Sequence, residues 1–127
     1  MKFLAWDTST PTAWIVGFEV HPTDRTRIQH LTAYQTSVDA RSSEHLLPAI
    51  DDFLRGRGWS LSDLGRLGVG QGPGSFTGLR IGIVTARTLA QALGIPLVSV
   101  SSLGPYTRPG THVVLPCTAT DVFVRAE

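Results

Sequence analysis

The sequence has little of several residue types that usually indicate a function. Cys117 is the only cysteine, which excludes an internal disulfide and a cysteine-rich zinc site. Lys2 is the only lysine, so the P-loop motif, which needs a lysine after its last glycine, is absent. No apolar stretch approaches the roughly 20 residues of a membrane span. We therefore expect a cytoplasmic protein with no signal peptide and no membrane contact.

The charges exclude further classes of function. The 11 basic and 10 acidic residues are spread along the chain and give a net charge of +1. Because no basic cluster is present, the sequence does not predict an autonomous nucleic-acid binder. The four histidines lack the spacing of metal ligands. We expect no metal, no cofactor and no catalytic residue.

Three segments near the start have the apolar and β-branched composition of strands. They are Lys2–Asp7, Ala13–Val20 and Arg27–Ser37. The third alternates loosely, and its pattern predicts the inward residues Ile28, Leu31, Ala33 and Tyr34.

An amphipathic helix is predicted next, with Ser42 or Ser43 as its N-cap. Gly56 and Gly58 end it. Its apolar residues recur at three- and four-residue spacing. They are Leu46, Leu47, Ile50, Phe53 and Leu54.

A strand, a helix and another strand follow in the second half of the sequence. We predict them at Leu67–Val69, Phe76–Leu93 and Pro96–Val100, with Gly94 closing the helix. This order implies parallel strands joined by a right-handed crossover. The chain is therefore α/β, with a mixed sheet of about five strands and the order β-β-β-α-β-α-β.

The run GQGPGSFTGLRIG, which begins at Gly70, joins that strand to that helix. Its spacing does not match the dinucleotide fingerprint G-x-G-x-x-G. Pro73 and Gly74 fit a type II turn in which the glycine supplies a positive φ, and Ser75 can cap the helix. Because a helix N-terminus presents free N–H groups, the hypothesis that an anion binds at Gly72, Gly74 and Ser75 stays open.

The same helix carries a row of small residues at four-residue spacing. Gly78, Gly82, Ala86 and Ala90 lie on one face. Glycine inside a helix costs about 1 kcal/mol relative to alanine, so a close helix contact is the expected compensation. The spacing leaves open whether the contact lies within this chain or with another.

Three stretches together resemble the bacterial TsaB (YeaZ) family. They are AWDTST near the start, SEHLLPAIDDFL, and LGRLGVGQGPGSFTGLRIGIVTARTLAQALGIPLVSVSSL. The resemblance implies an actin-like (RNase-H-like) fold, of which residues 1–103 form the N-terminal lobe. Residues 104–127 would be a linker and the remnant or start of a second lobe, most of which is missing here.

The resemblance also implies a function in threonylcarbamoyladenosine modification of tRNA. The protein would be a non-catalytic scaffold subunit that binds a TsaD-like catalytic paralogue or itself through two helices. A TsaE-like ATPase would join the assembly, and tRNA would be contacted only indirectly. The interface residues implied by the resemblance are Leu46, Ile50, Phe53, Phe76, Gly78, Leu79, Gly82 and Ala86.

An actin-like ATPase or phosphotransferase lobe is the alternative, because a strand-end DTST can meet phosphate in that fold. The same residues are equally explained as a cap on the strand end. The residues that a nucleotide or phosphate would use are Asp7, Thr8, Ser9, Gly72, Gly74 and Ser75. Since an actin-like site needs both lobes, we expect nucleotide binding to be poor.

Overall fold

The computed structural model describes residues 1–39, 43–104, 109, 112–116 and 122–126. The predicted order of strands and helices is confirmed, with a short 3-10 helix and two late strands added. The elements are β1 (Lys2–Asp7), β2 (Thr12–Val20), β3 (Ile28–Asp39), α1 (Ser43–Gly56), the 3-10 helix (Leu61–Asp63), β4 (Leu64–Gly70), α2 (Phe76–Leu93), β5 (Leu97–Val100), β6 (His112–Pro116) and β7 (Val122–Ala126).

The first five strands form one mixed sheet, as predicted, and the structure places them in the order β3-β2-β1-β4-β5. β2 is antiparallel to both β1 and β3, whereas β4 is parallel to both β1 and β5. Leu4 in the central strand stands opposite Gly17 in β2 and Leu67 in β4. β6 and β7 pair with each other in a separate antiparallel sheet.

The core lies between one face of the sheet and the two helices. The sheet contributes Leu4, Trp6, Ile15, Leu67 and Val69, α1 contributes Leu46, Ile50, Phe53 and Leu54, and α2 contributes Ala86 and Ala90. The ring of Phe53 packs against Gly17, where a Cβ atom would lie 2.7 Å from Phe53 Cε1. The predicted apolar stripe of α1 is confirmed except at Leu47, which is 49% exposed.

The predicted inward set of β3 is wrong. Ile28, Leu31 and Tyr34 are 55%, 64% and 49% exposed. The pairing with β2 shifts register at this point, and His30 takes a left-handed φ of 51°. A bulge between Gln29 and Thr32 interrupts the loose alternation, and the residues from Leu31 to Gln35 are exposed on both faces of the strand.

The turn before α2 also differs from the prediction. The positive φ, 95°, belongs to Gly72, and the Gly72–Pro73 peptide is cis, so Gly74 is not the left-handed residue of a type II turn. Gly74 is required for another reason, since a Cβ there would lie 2.5 Å from the carbonyl oxygen of Ser9. Ser75 caps α2 as predicted, accepting from the Gly78 N–H.

Two other predicted helix boundaries are the end of α2 and the start of α1. Gly94 closes α2 with a φ of 65°, as predicted. Ser43 is the first residue of α1, and Ser42 lies outside the described residues.

Candidate functional site

The residues predicted to meet phosphate come together where β1 approaches the start of α2. The N–H of Ser75 donates to the carbonyl of Ser9 at 2.8 Å. Thr8 and Ser9 are 1% and 6% exposed, so the two segments meet in the interior. The sequence thus identified residues that are neighbours in space.

Several of their polar groups are already hydrogen-bonded within the chain. Asp7 Oδ1 accepts the N–H of Ser9 at 2.7 Å, and Thr8 Oγ1 donates to the Gly78 carbonyl at 2.6 Å. The N–H of Gly72 donates to the Ser102 hydroxyl at 3.0 Å. An anion would have to displace these bonds, so the geometry is that of a packed joint between a strand and a helix.

The row of small residues on α2 faces β1 of this same chain. Trp6 Nε1 donates to the Gly82 carbonyl at 3.0 Å, one turn beyond the bond from Thr8 to Gly78. A Cβ at Gly82 would overlap Thr8 Oγ1. The glycines therefore let the side chains of Trp6 in β1 and of Thr8 just after it reach carbonyls of the helix. This corrects the prediction that Gly78, Gly82 and Ala86 form an intermolecular surface.

Most of the other predicted interface residues are also buried inside the chain. Leu46, Ile50 and Phe53 are 0%, 2% and 9% exposed, because their side chains fill the core beneath α1. Leu79 is half-buried beside Gly72. Phe76, which is 74% exposed, is the member of the predicted set that lies fully on the surface.

The exposed face of α2 lies opposite the glycine row. Phe76, Arg80 and Val84 follow one another at four-residue spacing, and Val84 is 59% exposed. The Arg80 guanidinium carbon lies 5.6 Å from the Phe76 ring centroid. Beside this row is a shallow cavity of about 290 Å³ that Thr77 and Ile81 also line. We call Phe76, Arg80 and Val84 the α2 outer row.

Sequence reasoning missed Arg80 and Val84 because the glycines drew attention to the opposite face. The signal was present, since a helix packed through Gly78 and Gly82 must turn its opposite face to solvent. The indicative pattern was an apolar residue, Val84, two four-residue steps after Phe76 on the same helix face.

Among the described residues, two carboxyl groups have shifted pKa values, and both serve local structure. Hydrogen bonds from the Thr26 hydroxyl and N–H lower the pKa of Asp24. The hydrogen bond from the Ser60 N–H is the main cause that lowers the pKa of Asp63. In the described parts of the chain, no cluster of three or more His, Cys, Asp or Glu could hold a metal ion.

The helices that the structure describes were also compared with the length and apolar character of a membrane span. None of them is both long and apolar enough to cross a bilayer.

A protein-family model described as "TsaD: tRNA N6-adenosine threonylcarbamoyltransferase" matches residues 34–110. The "tRNA threonylcarbamoyladenosine biosynthesis protein TsaB" of Bacillus subtilis is 35% identical over 112 residues, which cover 88% of this chain and 46% of the relative. The protein of the same description from Escherichia coli is 36% identical over 103 residues, which cover 81% of this chain and 41% of the relative.

The solved structures agree with the sequence comparison. YeaZ from Pseudomonas aeruginosa superposes with a TM-score of 0.68 at 32% identity, covering 81% of this chain and 46% of that one. The chain spans about half the length of the curated relatives it matches, since it covers 46% and 41% of two of them. Its sequence matches and its actin-like (RNase-H-like) lobe together show that the chain belongs to the TsaB (YeaZ) family.

Proposed function

We propose that this chain acts in the biosynthesis of threonylcarbamoyladenosine in tRNA, as a non-catalytic subunit that binds a TsaD-like paralogue. The relatives from B. subtilis and E. coli are both described as proteins of tRNA threonylcarbamoyladenosine biosynthesis. The family model that matches residues 34–110 is described for the transferase TsaD, which supports a paralogue of related fold as the partner.

The scaffold role is supported by the joint between β1 and α2. The side chains of Asp7 and Thr8, which an ATPase lobe would direct at a nucleotide, bond instead to groups of this chain. The N–H of Ser75 at the start of α2 is likewise bonded to Ser9. Such a joint contributes stability, and it engages the Thr8 hydroxyl and the Ser75 N–H, which are therefore not free to bind phosphate.

The observation that carries the proposal is the α2 outer row. Phe76 and Val84 are large apolar side chains at 74% and 59% exposure on a helix whose other face is firmly packed. Arg80 stands between them over the Phe76 ring. Interfaces are enriched in aromatic residues and arginine, and such residues account for much of the binding free energy.

Binding to the TsaD-like paralogue of the same organism, measured by calorimetry, tests the proposal. Val84→Glu places a charge in the apolar row, and we expect it to weaken binding by about tenfold or more. Val98→Glu is the matched control, because Val98 is a similarly exposed valine (43%) on β5. Equal binding by both variants and the wild type would contradict the proposed surface.

The same surface explains the expected homodimer. Without the paralogue, the α2 outer row of one copy would pack against that of a second, in a symmetric contact. Sedimentation of the pure protein should then show a dimer that Val84→Glu dissociates and the paralogue displaces. In the full assembly we propose that a TsaE-like ATPase joins this pair and that tRNA is contacted only indirectly.

A further inference from the structure

A second candidate binding surface lies between α1 and β3. A groove of about 550 Å³ runs there, with Thr32, Tyr34 and Thr36 of β3 on one side. Pro48 and Ala49 of α1 line the opposite side. The volume lies in the range of sites that hold ligands in other proteins.

The strand beside the groove lies at the edge of the described sheet. β3 is the longest strand at 12 residues, and it stands last in the order β3-β2-β1-β4-β5 of the described sheet. No Asp, Glu, Lys, Arg or Pro occurs from Ile28 to Val38. Folded proteins usually protect such edges with charges, prolines or a covering segment. An uncharged edge next to a groove has the form of a site for strand addition.

The charges on α1 indicate what would occupy the groove. Glu44 and Asp52 both line it, and the described part of the chain provides neither with an ion pair. The lining also contains His45 and Arg57, and Arg57 Nη2 donates to the His30 carbonyl at 2.7 Å. The Arg57 guanidinium carbon also lies 4.1 Å from the ring centroid of Trp59. Because the two carboxylates outnumber this guanidinium, the groove favours a ligand with positive charge.

The spacing of the two carboxylates fits an extended chain. Glu44 and Asp52 are eight residues apart on α1, or about 12 Å along its axis. Side chains on one face of a strand repeat every two residues, so the first and fifth residues lie about 13 Å apart. Pro48 and Ala49, between the carboxylates, offer an apolar surface to the residue in the middle.

We propose that this groove binds an extended peptide segment of a partner protein, which adds to β3 as a further strand. The segment carries basic side chains at its first and fifth positions, facing Glu44 and Asp52, and an apolar side chain at its third. Main-chain hydrogen bonds to β3 supply sequence-independent affinity, and the two carboxylates select the basic residues. This surface is separate from the α2 outer row, so a test of one does not decide the other.

The test is fluorescence anisotropy with a labelled, capped peptide of threonines that contains a valine flanked by a lysine two residues away on each side. We expect saturable binding that Glu44→Gln combined with Asp52→Asn weakens by about tenfold. The matched control is Asp51→Asn on the same helix, where Asp51 pairs with Arg55 at 2.8 Å outside the groove. This control should bind as the wild type does.

Two control peptides separate strand addition from simple charge attraction. A peptide N-methylated at the alternate amides that would face β3 keeps its lysines but loses the main-chain donors, and we expect it not to bind. A peptide with glutamates in place of the lysines should not bind either. Binding by the N-methylated peptide equal to that of the parent overturns the proposal.

Other outcomes would also overturn it. Absence of saturable binding, or equal affinity for the wild type and the double carboxylate variant, excludes the peptide site. A dimer in sedimentation that Tyr34→Lys dissociates, together with no peptide binding, assigns the edge of β3 to a second copy of this chain instead.

Discussion

The hydroxyl of Thr8 donates a hydrogen bond of 2.6 Å to the main-chain carbonyl of Gly78. Trp6 makes the corresponding bond to Gly82 one helical turn further along. These two bonds fix the position of α2 along the end of β1, because Trp6 in the strand and Thr8 just after it each bond to one carbonyl of the helix. The stability of the lobe should depend on them.

Thr8→Val removes the donor but preserves the shape of the side chain. We expect the free energy of unfolding in urea to fall by about 0.5–1.5 kcal/mol, the usual net value of one hydrogen bond. Thr77→Val is the control, because Thr77 is exposed on α2. That variant should stay within about 0.5 kcal/mol of the wild type. Equal losses of unfolding free energy in both variants would show that the hydrogen bond from Thr8 to Gly78 does not stabilise the lobe.

Gly74→Ala should destabilise the lobe through a clash, without any requirement for a positive φ. The new Cβ would lie 2.5 Å from both the carbonyl oxygen and the Cβ of Ser9, and relief of such overpacking costs about 1–3 kcal/mol. Gly56→Ala is the comparison, since nothing lies within 4 Å of a Cβ there. We expect that variant to melt at the wild-type temperature or above it. If the Gly74→Ala protein has the same melting temperature as the Gly56→Ala protein, the close contact with Ser9 is refuted.

Asp63 should make stability depend on pH in the acid range. Its Oδ2 accepts the Ser60 N–H at 2.8 Å, and this bond lowers the pKa of the carboxyl in the folded protein. A lowered folded pKa means that the stabilisation is complete above the unfolded pKa, about 4, and is lost as pH falls through the folded pKa. The difference in urea midpoint between the wild type and Asp63→Asn should therefore shrink in acid. A difference that is constant with pH would contradict this assignment.

Addition of ATP and Mg²⁺ should leave the melting temperature unchanged. A ligand that binds the folded state raises the melting temperature, and the Thr8 hydroxyl and the Ser75 N–H, which could donate to phosphate, are bonded within the chain. Direct measurement of nucleotide turnover completes the experiment. A saturable turnover that Asp7→Ala abolishes would favour the ATPase alternative.

Local signals were enough to predict part of the fold. The limits of α2 followed from Ser75 and Gly94, whose capping depends only on neighbouring residues. The parallel pairing of β4 and β5 followed from the helix between them, because a crossover of that length allows little else.

The errors came where a residue's role depends on a distant segment. Gly74 has no side chain because Ser9, far along the sequence, lies against it. The small residues around Gly82 admit Thr8 and Trp6, which no spacing within α2 could reveal. The bulge at His30 likewise depends on how β3 pairs with β2.

The central strand of the sheet is also the first to be synthesised. β1 can pair with β2 as soon as both have left the ribosome, but its other neighbour begins only at Leu64. Until β4 arrives, the nascent chain presents an unpaired edge of β1, with Leu4 and Trp6 still uncovered by α2. Such non-local pairing slows folding and prolongs exposure of strand edges, so a translation pause before Leu64 should favour aggregation.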